Sequence, residues 1–464
     1  MAIEEPGSHQ PRSNTEPAGS LAVLPIRRER LAIVSTRDRL CGIAAYTHAL
    51  ERQLADIFDV TVFDLDQDLL RSRNRRVTEL GDRAIKDICG SLARFDAVNL
   101  QLEYGTLGQT PGDICRRFAW LIAAAPRLSV TFHTVKRPST FPITDFLKAI
   151  AALKLRRAGD IWGAYRRNHL LSLRIAQILR RAQQRKTVSI IVHNRRDAAE
   201  FRHAHGFKRV FEHPLAFLSP AQAQEILSQA TRHRFPLLDK LSDDATLIGV
   251  FGFINDYKGF GTAIRALYHL PKTHHLLIFG GIHPNEITSQ QPIHPYLLSL
   301  LDDARVDARP SKNQQRTFAK HQDPRDLSER IHFMGAPEDD DFLTGMGICD
   351  AVVFPYLEVG QSASGPISQA LELGRRIIAS RTHTFLEFAA YHPSSIEFFD
   401  IGNHLELAER ILARPQYAAR REPLRYTVET SKAVYLAASS ALDTATPQFR
   451  QPGTDPVARR QKAG

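Results

Sequence analysis

Between Gly360 and Gly365 the chain reads GQSASG, and Pro366 follows at once. Helix N-termini carry unpaired N–H groups and a partial positive charge, and proline at the first helical position costs no needed donor. Ser362 to Ser368 therefore predicts an anion cradle, with a phosphate as the natural guest. The flanking residues show what must hold it. Ala351 to Phe354 predicts a buried strand before the loop, a helix opens at Pro366, and Arg376 to Ser380 predicts a second buried strand after it. Together they make one β-loop-α-β unit.

The same alternation recurs along the chain. LAIVST from Leu31, a helix opening at Gly42 and DVTVFDL from Asp59 form a first unit; AVNLQLEYG (97–105), LSVTFHTV and SIIVHN (189–194) supply further strands. After Pro236 and the charged linker DKLSDDA, a new sheet begins at TLIGVFGF, followed by HHLLIFGG and by RIHF with a glycine loop at Met334 to Ala336. Strand and helix in alternation predict parallel α/β sheets, whose ligands lie outside the carboxyl ends of the strands. Glu103 and Tyr104, His133, Gly252 with Lys258, and Met334 with Gly335 all lie at or just after such strand ends. His193 and His213 read as structural. Asp339, Asp340 and Asp341 read as acids opening a helix, with no metal site.

At 464 residues and 43% hydrophobic content the chain exceeds one ordinary core. No apolar run approaches the roughly 20 residues that span a bilayer, and no signal-like apolar segment follows Met1, so a cytoplasmic location is expected. Cys41, Cys89, Cys115 and Cys349 lie far apart and read as reduced thiols. The net charge of +11 is localised. Between Lys148 and Lys186 eleven bases face the single acid Asp160, which leaves fifty bases and forty-nine acids elsewhere out of 61 and 50. A general nucleic-acid binder would be less localised. From Tyr165 to Lys186, Leu171, Ile175, Ile178 and Ala182 recur at helical spacing, flanked by Arg166, Arg167, Arg174, Arg181 and Arg185. With no acids to relieve them, these bases predict reversible docking of residues 148–186 on an anionic membrane surface, peripheral at its inner face.

The segments CGIAAYT, LEYG, the His133 strand end, GVFGFINDYKGFGTAIRAL and residues 350–388, in this order, resemble the retaining GT-B glycosyltransferases of the large bacterial "group 1" (family 4) type. The resemblance covers roughly residues 30 to 440. It implies an α/β GT-B fold, two Rossmann-like domains facing across a cleft, and transfer of a sugar from a nucleotide-sugar, UDP- or GDP-linked, to a glycan or polyprenyl-linked acceptor. Cell-surface polysaccharide or glycoconjugate synthesis is the implied setting, with no prosthetic group or metal. His133 would contact the transferred sugar. Lys258, the amides of Ser362, Ala363 and Ser364, and the glycines Gly42 and Gly252 would approach the phosphates; Met334 and Gly335 would hold the base.

In that family two glutamates eight positions apart bracket the donor loop. Aligned on Pro366, Ala370 and Gly374, this chain places Gln361 against the sugar and Gln369 against the ribose. Where most relatives have an arginine after the glycine matching Gly252, it has Phe253. These three losses keep open a scaffold or glycan-binding subunit without catalysis. A nicotinamide-dependent enzyme fits poorly, as no GxGxxG follows the first strand. The expected organisation is a disordered tail (1–29), an acceptor-side domain (30–238, with a basic helical insertion at 146–186), a donor-side domain (239–415), a helix crossing back (416–443) and a disordered tail (444–464).

Overall fold

The computed structural model describes residues 27–39, 41–136, 141–283, 294–304, 327–358, 360–413 and 423–440. The two expected disordered tails fall wholly or largely outside the described residues, as does most of the long loop expected from Ile282 to Arg330, whose described part includes the helix Pro295–Ala304.

Six strands, β1 (Arg30–Ser35), β2 (Asp59–Asp64), β3 (Ala97–Leu102), β4 (Leu128–Phe132), β5 (Val188–Val192) and β6 (Val210–Glu212), form a parallel sheet in the order β2-β1-β3-β4-β5-β6. Six more, β7 (Thr246–Phe251), β8 (His274–Phe279), β9 (Ile331–Gly335), β10 (Ala351–Phe354), β11 (Ile377–Ser380) and β12 (Glu397–Phe399), form a second parallel sheet in the order β12-β11-β10-β7-β8-β9. In a parallel sheet covered on both faces the central strands are apolar without alternation, and β3, β4, β5, β10 and β11 are buried along their whole length. The edge strand β2 mixes exposed and half-buried positions. The other two newly seen edges, β6 and β12, have three residues each, short enough to offer little to a foreign strand.

One buried apolar cluster runs from Tyr46 and Leu50 of the first half through Phe217 to Phe354, Ile367 and Phe385 of the second. The junction of the two halves is thus part of a core. Helix Val428–Ser439, opened by a capping box of Thr427 and Thr430, lies against the first sheet. There Ser189 Oγ donates to Ala438 O at 2.8 Å, Arg209 Nη2 to Ala437 O at 2.6 Å, and Lys432 pairs with Asp56 at 2.7 Å.

Glu372, at the end of helix Gly365–Glu372, joins the halves through its side chain: its two carboxyl oxygens accept the backbone N–H groups of Phe217 and Leu218 at 2.9 and 3.0 Å. Desolvation raises its pKa from 4.5 to about 8 although both N–H groups favour the anion. The folded chain therefore holds this proton where the unfolded chain has lost it. The resulting stability is fully present below about pH 4.5 and declines as pH rises to about 8. Glu372→Gln, which cannot titrate, isolates this contribution from the opposing one of the buried histidines: in chemical denaturation at pH 5, 6.5 and 8 the stability difference between the native protein and the variant should shrink as pH rises. An equal slope in both proteins would assign the pH dependence elsewhere.

Candidate active site between the two sheets

The predicted cradle is built from the second sheet. Helix Gly365–Glu372 begins one residue earlier than Pro366 suggested, so the proline sits at the second position of the first turn, where it still removes no needed donor. Its N-cap is Ser364, whose Oγ lies 3.2 Å from Tyr356 Oη. The preceding loop is tied down at successive residues: Gly360 N–H donates to Glu358 Oε1 at 3.0 Å, and Gln361 O accepts from Thr384 Oγ1 at 2.6 Å. Ser362 reaches across to the first half. Its Oγ accepts the Val135 N–H at 3.2 Å, and its carbonyl accepts from Asn194 Nδ2 at 3.0 Å.

Lys258 stands behind this loop. Gly259 adopts φ 67°, and a Cβ there would fall 1.9 Å from Pro355 O, so only glycine lets the short turn Asp256–Lys258 press against the end of β10. That close approach buries the Lys258 side chain to 7% exposure. Its Nζ donates to Tyr356 Oη and lies 3.9 Å from the centroid of that ring. Burial brings its pKa down to about 7. Lys258, Tyr356 and Ser364 thus form a continuous polar chain from a buried amine to the helix N-cap. Gly252 flanks the amine with φ 119°; a Cβ there would approach Nζ to 3.3 Å. Phe253 turns its ring edge-on to His283 at 4.7 Å.

The opposing wall comes from the carboxyl ends of β4 and β5. His133 Nε2 meets Gln101 Oε1 at 2.8 Å; the Gln101 amide nitrogen is committed to Asn99, so His133 donates and carries its proton on Nε2. The ring lies edge-on to Tyr46 at 5.4 Å and 5.3 Å from the ring of His193. Burial, then the neighbouring His193, holds its pKa well below 6.5, so it is neutral. His193 donates from Nδ1 to His213 O at 3.0 Å, and burial lowers its pKa to about 4. Its Nε2 is buried without a hydrogen-bond partner, as is Ser368 Oγ, and both residues line a small cavity with Asn194, Ser362, Ala363 and Ser364.

Among the described residues His193 thus keeps one ring nitrogen unengaged, whereas His213, also read as structural, is satisfied at both nitrogens, by Pro214 O at 2.6 Å and Thr430 Oγ1 at 2.7 Å. Nothing in the sequence marked the difference, because it depends on which carbonyl faces Nδ1. Met334 and Gly335 close β9, where a loop was expected, and Gly335 O accepts the Gly280 N–H at 2.6 Å. Gly42 opens its helix at an exposed site where a Cβ would meet nothing within 4 Å. The side-chain amides of Gln361 and Gln369 form no hydrogen bond among the described residues. Asp341, in the acidic run, pairs with Arg234, and among the described residues no group of His, Cys, Asp and Glu is placed to hold a metal ion.

No protein-family model matches the chain, and no curated protein matches its sequence. Solved structures do. Anabaena HepE in complex with UDP and glucose aligns with 89% of this chain and 100% of its own at 14% identity and a TM-score of 0.54. A UDP-forming α,α-trehalose-phosphate synthase from Burkholderia xenovorans aligns with 90% and 100% at 12% identity and 0.54. A sucrose-phosphate synthase from Thermosynechococcus elongatus aligns with 89% and 95% at 15% identity and 0.51. The chain has the GT-B fold. Within GT-B architecture the two sheets face each other through the carboxyl ends of their strands, and the residues gathered there include His133, Lys258 and Ser362 to Ser364.

The contacts of Ser362 make the loop's order depend on the other half. Asn194→Ser keeps an oxygen to cap the helical turn at Arg195 but removes the donor to Ser362 O. Hydrogen exchange at residues 360–365 should then accelerate severalfold, with β10 and β11 unchanged. Equal protection in both proteins would show that the loop orders itself.

Proposed function

We propose that the protein is a retaining glycosyltransferase of the family 4 type, moving a sugar from a nucleotide-sugar, UDP- or GDP-linked, to a glycan or polyprenyl-linked acceptor at the inner face of the membrane. The observation that carries this is the buried chain Lys258, Tyr356, Ser364, which ends at a helix N-terminus lining one cavity with His193, whose ring lies 5.3 Å from that of His133. A buried amine with a pKa of about 7 is costly to keep charged without an anion beside it. A diphosphate seated at the first-turn amides would meet that need and raise the pKa, so that binding takes up a proton above neutral pH.

The chemistry asked of such a site is to stabilise an oxocarbenium-like sugar and a departing diphosphate together. Amides of Ser362 to Ser364 and Lys258 serve the diphosphate in this proposal. Neutral His133, its proton held by Gln101, offers Nδ1 to a sugar hydroxyl, and the unengaged amide of Gln361 faces the sugar. Gln369 takes the ribose, the backbone near Met334 and Gly335 the base, the open site at Gly42 admits phosphate or acceptor, and Gly252 leaves room for phosphate beside the Lys258 amine. An amide binds hydroxyls about half as strongly as a carboxylate, which predicts weaker donor binding than in relatives that carry glutamates. The crystallised complex of HepE with UDP and glucose is in keeping with a uridine nucleotide here.

A thermal-shift panel of UDP, GDP, ADP and their sugars tests the reading. The matching nucleotide at 100 times its Kd should stabilise the protein by about 2.7 kcal/mol. Proton uptake on binding at pH 8 should vanish in Lys258→Ala, together with orders of magnitude in kcat, whereas Gln369→Ala should raise the donor KM and leave kcat nearly unchanged. No stabilisation by any nucleotide would overturn the proposal in favour of a scaffold.

A further inference from the structure

The basic insertion folds as two helices, Ile143–Ala151 and Leu155–Gln183, joined by a tight turn. The stripe picked out by periodicity faces inward: Leu171 and Ile175 are buried in the first half's core, with Ile178 and Ala182 packed against it. Two of the bases are also occupied there, Arg180 with His205 O and Ala204 O, and Lys186 with Ile122 O and Ala125 O. The outer end of the hairpin is different. Leu153, in the left-handed region at φ 56°, forms the turn with 85% of its surface exposed; Leu155 is 68% exposed, Ile143 59% and Leu147 55%. Ile143, Leu147 and Ile150 lie on one face of the first helix by their spacing. The hairpin has its own apolar packing, with Phe141 edge-on to Phe146, Trp162 and Tyr165 at 5.0, 5.3 and 5.1 Å, and still leaves these residues in water.

The placement of this end follows from connectivity. The long helix leads into the amino end of β5, so it runs antiparallel to the strands and its own start lies on the carboxyl-end side, where the two sheets face each other. Asn168 is level with the loop after β4, since Lys136 Nζ donates to its Oδ1 at 3.4 Å. Residues 155 to 167 therefore overhang by about 20 Å at 1.5 Å per residue.

We infer that the hairpin tip inserts Leu147, Leu153 and Leu155 into the interfacial layer of an anionic bilayer, with Lys148, Lys154, Arg156 and Arg157 at the headgroups. This rests on the membrane association proposed above and adds to it an apolar anchor and an orientation, with the cleft turned toward the lipid. The four bases are exposed and interleave with the exposed leucines, the arrangement of an interfacial helix. A second copy would set the eleven bases of residues 148–186 against eleven more. A nucleic-acid phosphate backbone would use the bases and leave Leu153 uncovered. Exposed apolar clusters of this kind mark binding surfaces in soluble chains.

The test uses the full chain with vesicles of phosphatidylcholine, with and without 30 mol% phosphatidylglycerol. Trp162 sits beside the tip at 49% exposure, so its emission should shift to the blue on anionic vesicles and be quenched by lipids brominated in the acyl chain, with neither change in Trp162→Phe. Replacing Leu147, Leu153 and Leu155 by Ser should weaken vesicle binding at least tenfold with Tm unchanged, because all three are exposed. Loss of binding in Lys148→Gln/Lys154→Gln/Arg156→Gln/Arg157→Gln but not in the serine variant, with no emission shift, would overturn insertion and leave charge attraction standing. No binding to either vesicle would overturn both. Dimerisation abolished by the serine substitutions, or RNA binding at the same bases without lipid binding, would overturn the bilayer as occupant.

Discussion

Gln101 occupies the point on which the first half of the cleft depends. It lies fully buried in β3, between His133 Nε2 on one side and Tyr435 Oη, at 3.4 Å, on the other. Tyr435 belongs to the helix that returns from the second half, and its hydroxyl also meets Tyr46 at 3.1 Å and Thr131 at 3.2 Å. A buried glutamine has to satisfy both ends of its amide, so the orientation of the imidazole is set by a network that includes the last helix of the chain. Loss of that helix would strand several buried polar groups at once, and the first to lose its alignment would be a ring facing the cavity.

Much of this architecture was legible because parallel strands write themselves as uninterrupted apolar runs. The limits of β10 are those read from Ala351 to Phe354, and other strands lie within about three residues of their reading, β3 and β4 stopping short of the ends EYG and HTV assigned to them. The two missed strands, β6 and β12, have three residues each and carry no periodicity to detect. At the site, residue types were legible and environments were not. Lys258 and His133 could be placed at strand ends, but the burial of the lysine depends on how closely Gly259 approaches Pro355, which no local pattern encodes. The environments of His193, read as structural, and of Glu372, not singled out, were illegible for the same reason. Each is defined by backbone groups from another segment, His213 O for one and the Phe217 and Leu218 N–H groups for the other.

One of the three substitutions that set this chain apart from the family it resembles has a local counterpart. Phe253, in the place of an arginine, packs its ring on His283 and so contributes to the wall without charge. Without that arginine, Lys258 and backbone amides still contribute positive potential near the loop, and the amine's charge depends on what sits beside it. A basic charge excess concentrated in one hairpin, with the remainder of the chain nearly neutral, separates attraction to a surface from the electrostatics of the cleft.

The bonds that Ser362 makes to Val135 and Asn194 span the gap that a nucleotide would have to enter. Entry and separation of the halves are then one event in sequence, opening first and occupation second. The association rate of any such guest would rise with its concentration only to a plateau, set by how often those two bonds part, and turnover could not exceed that frequency. The hydroxyl and carbonyl of a single serine would thus act as the clock of the molecule.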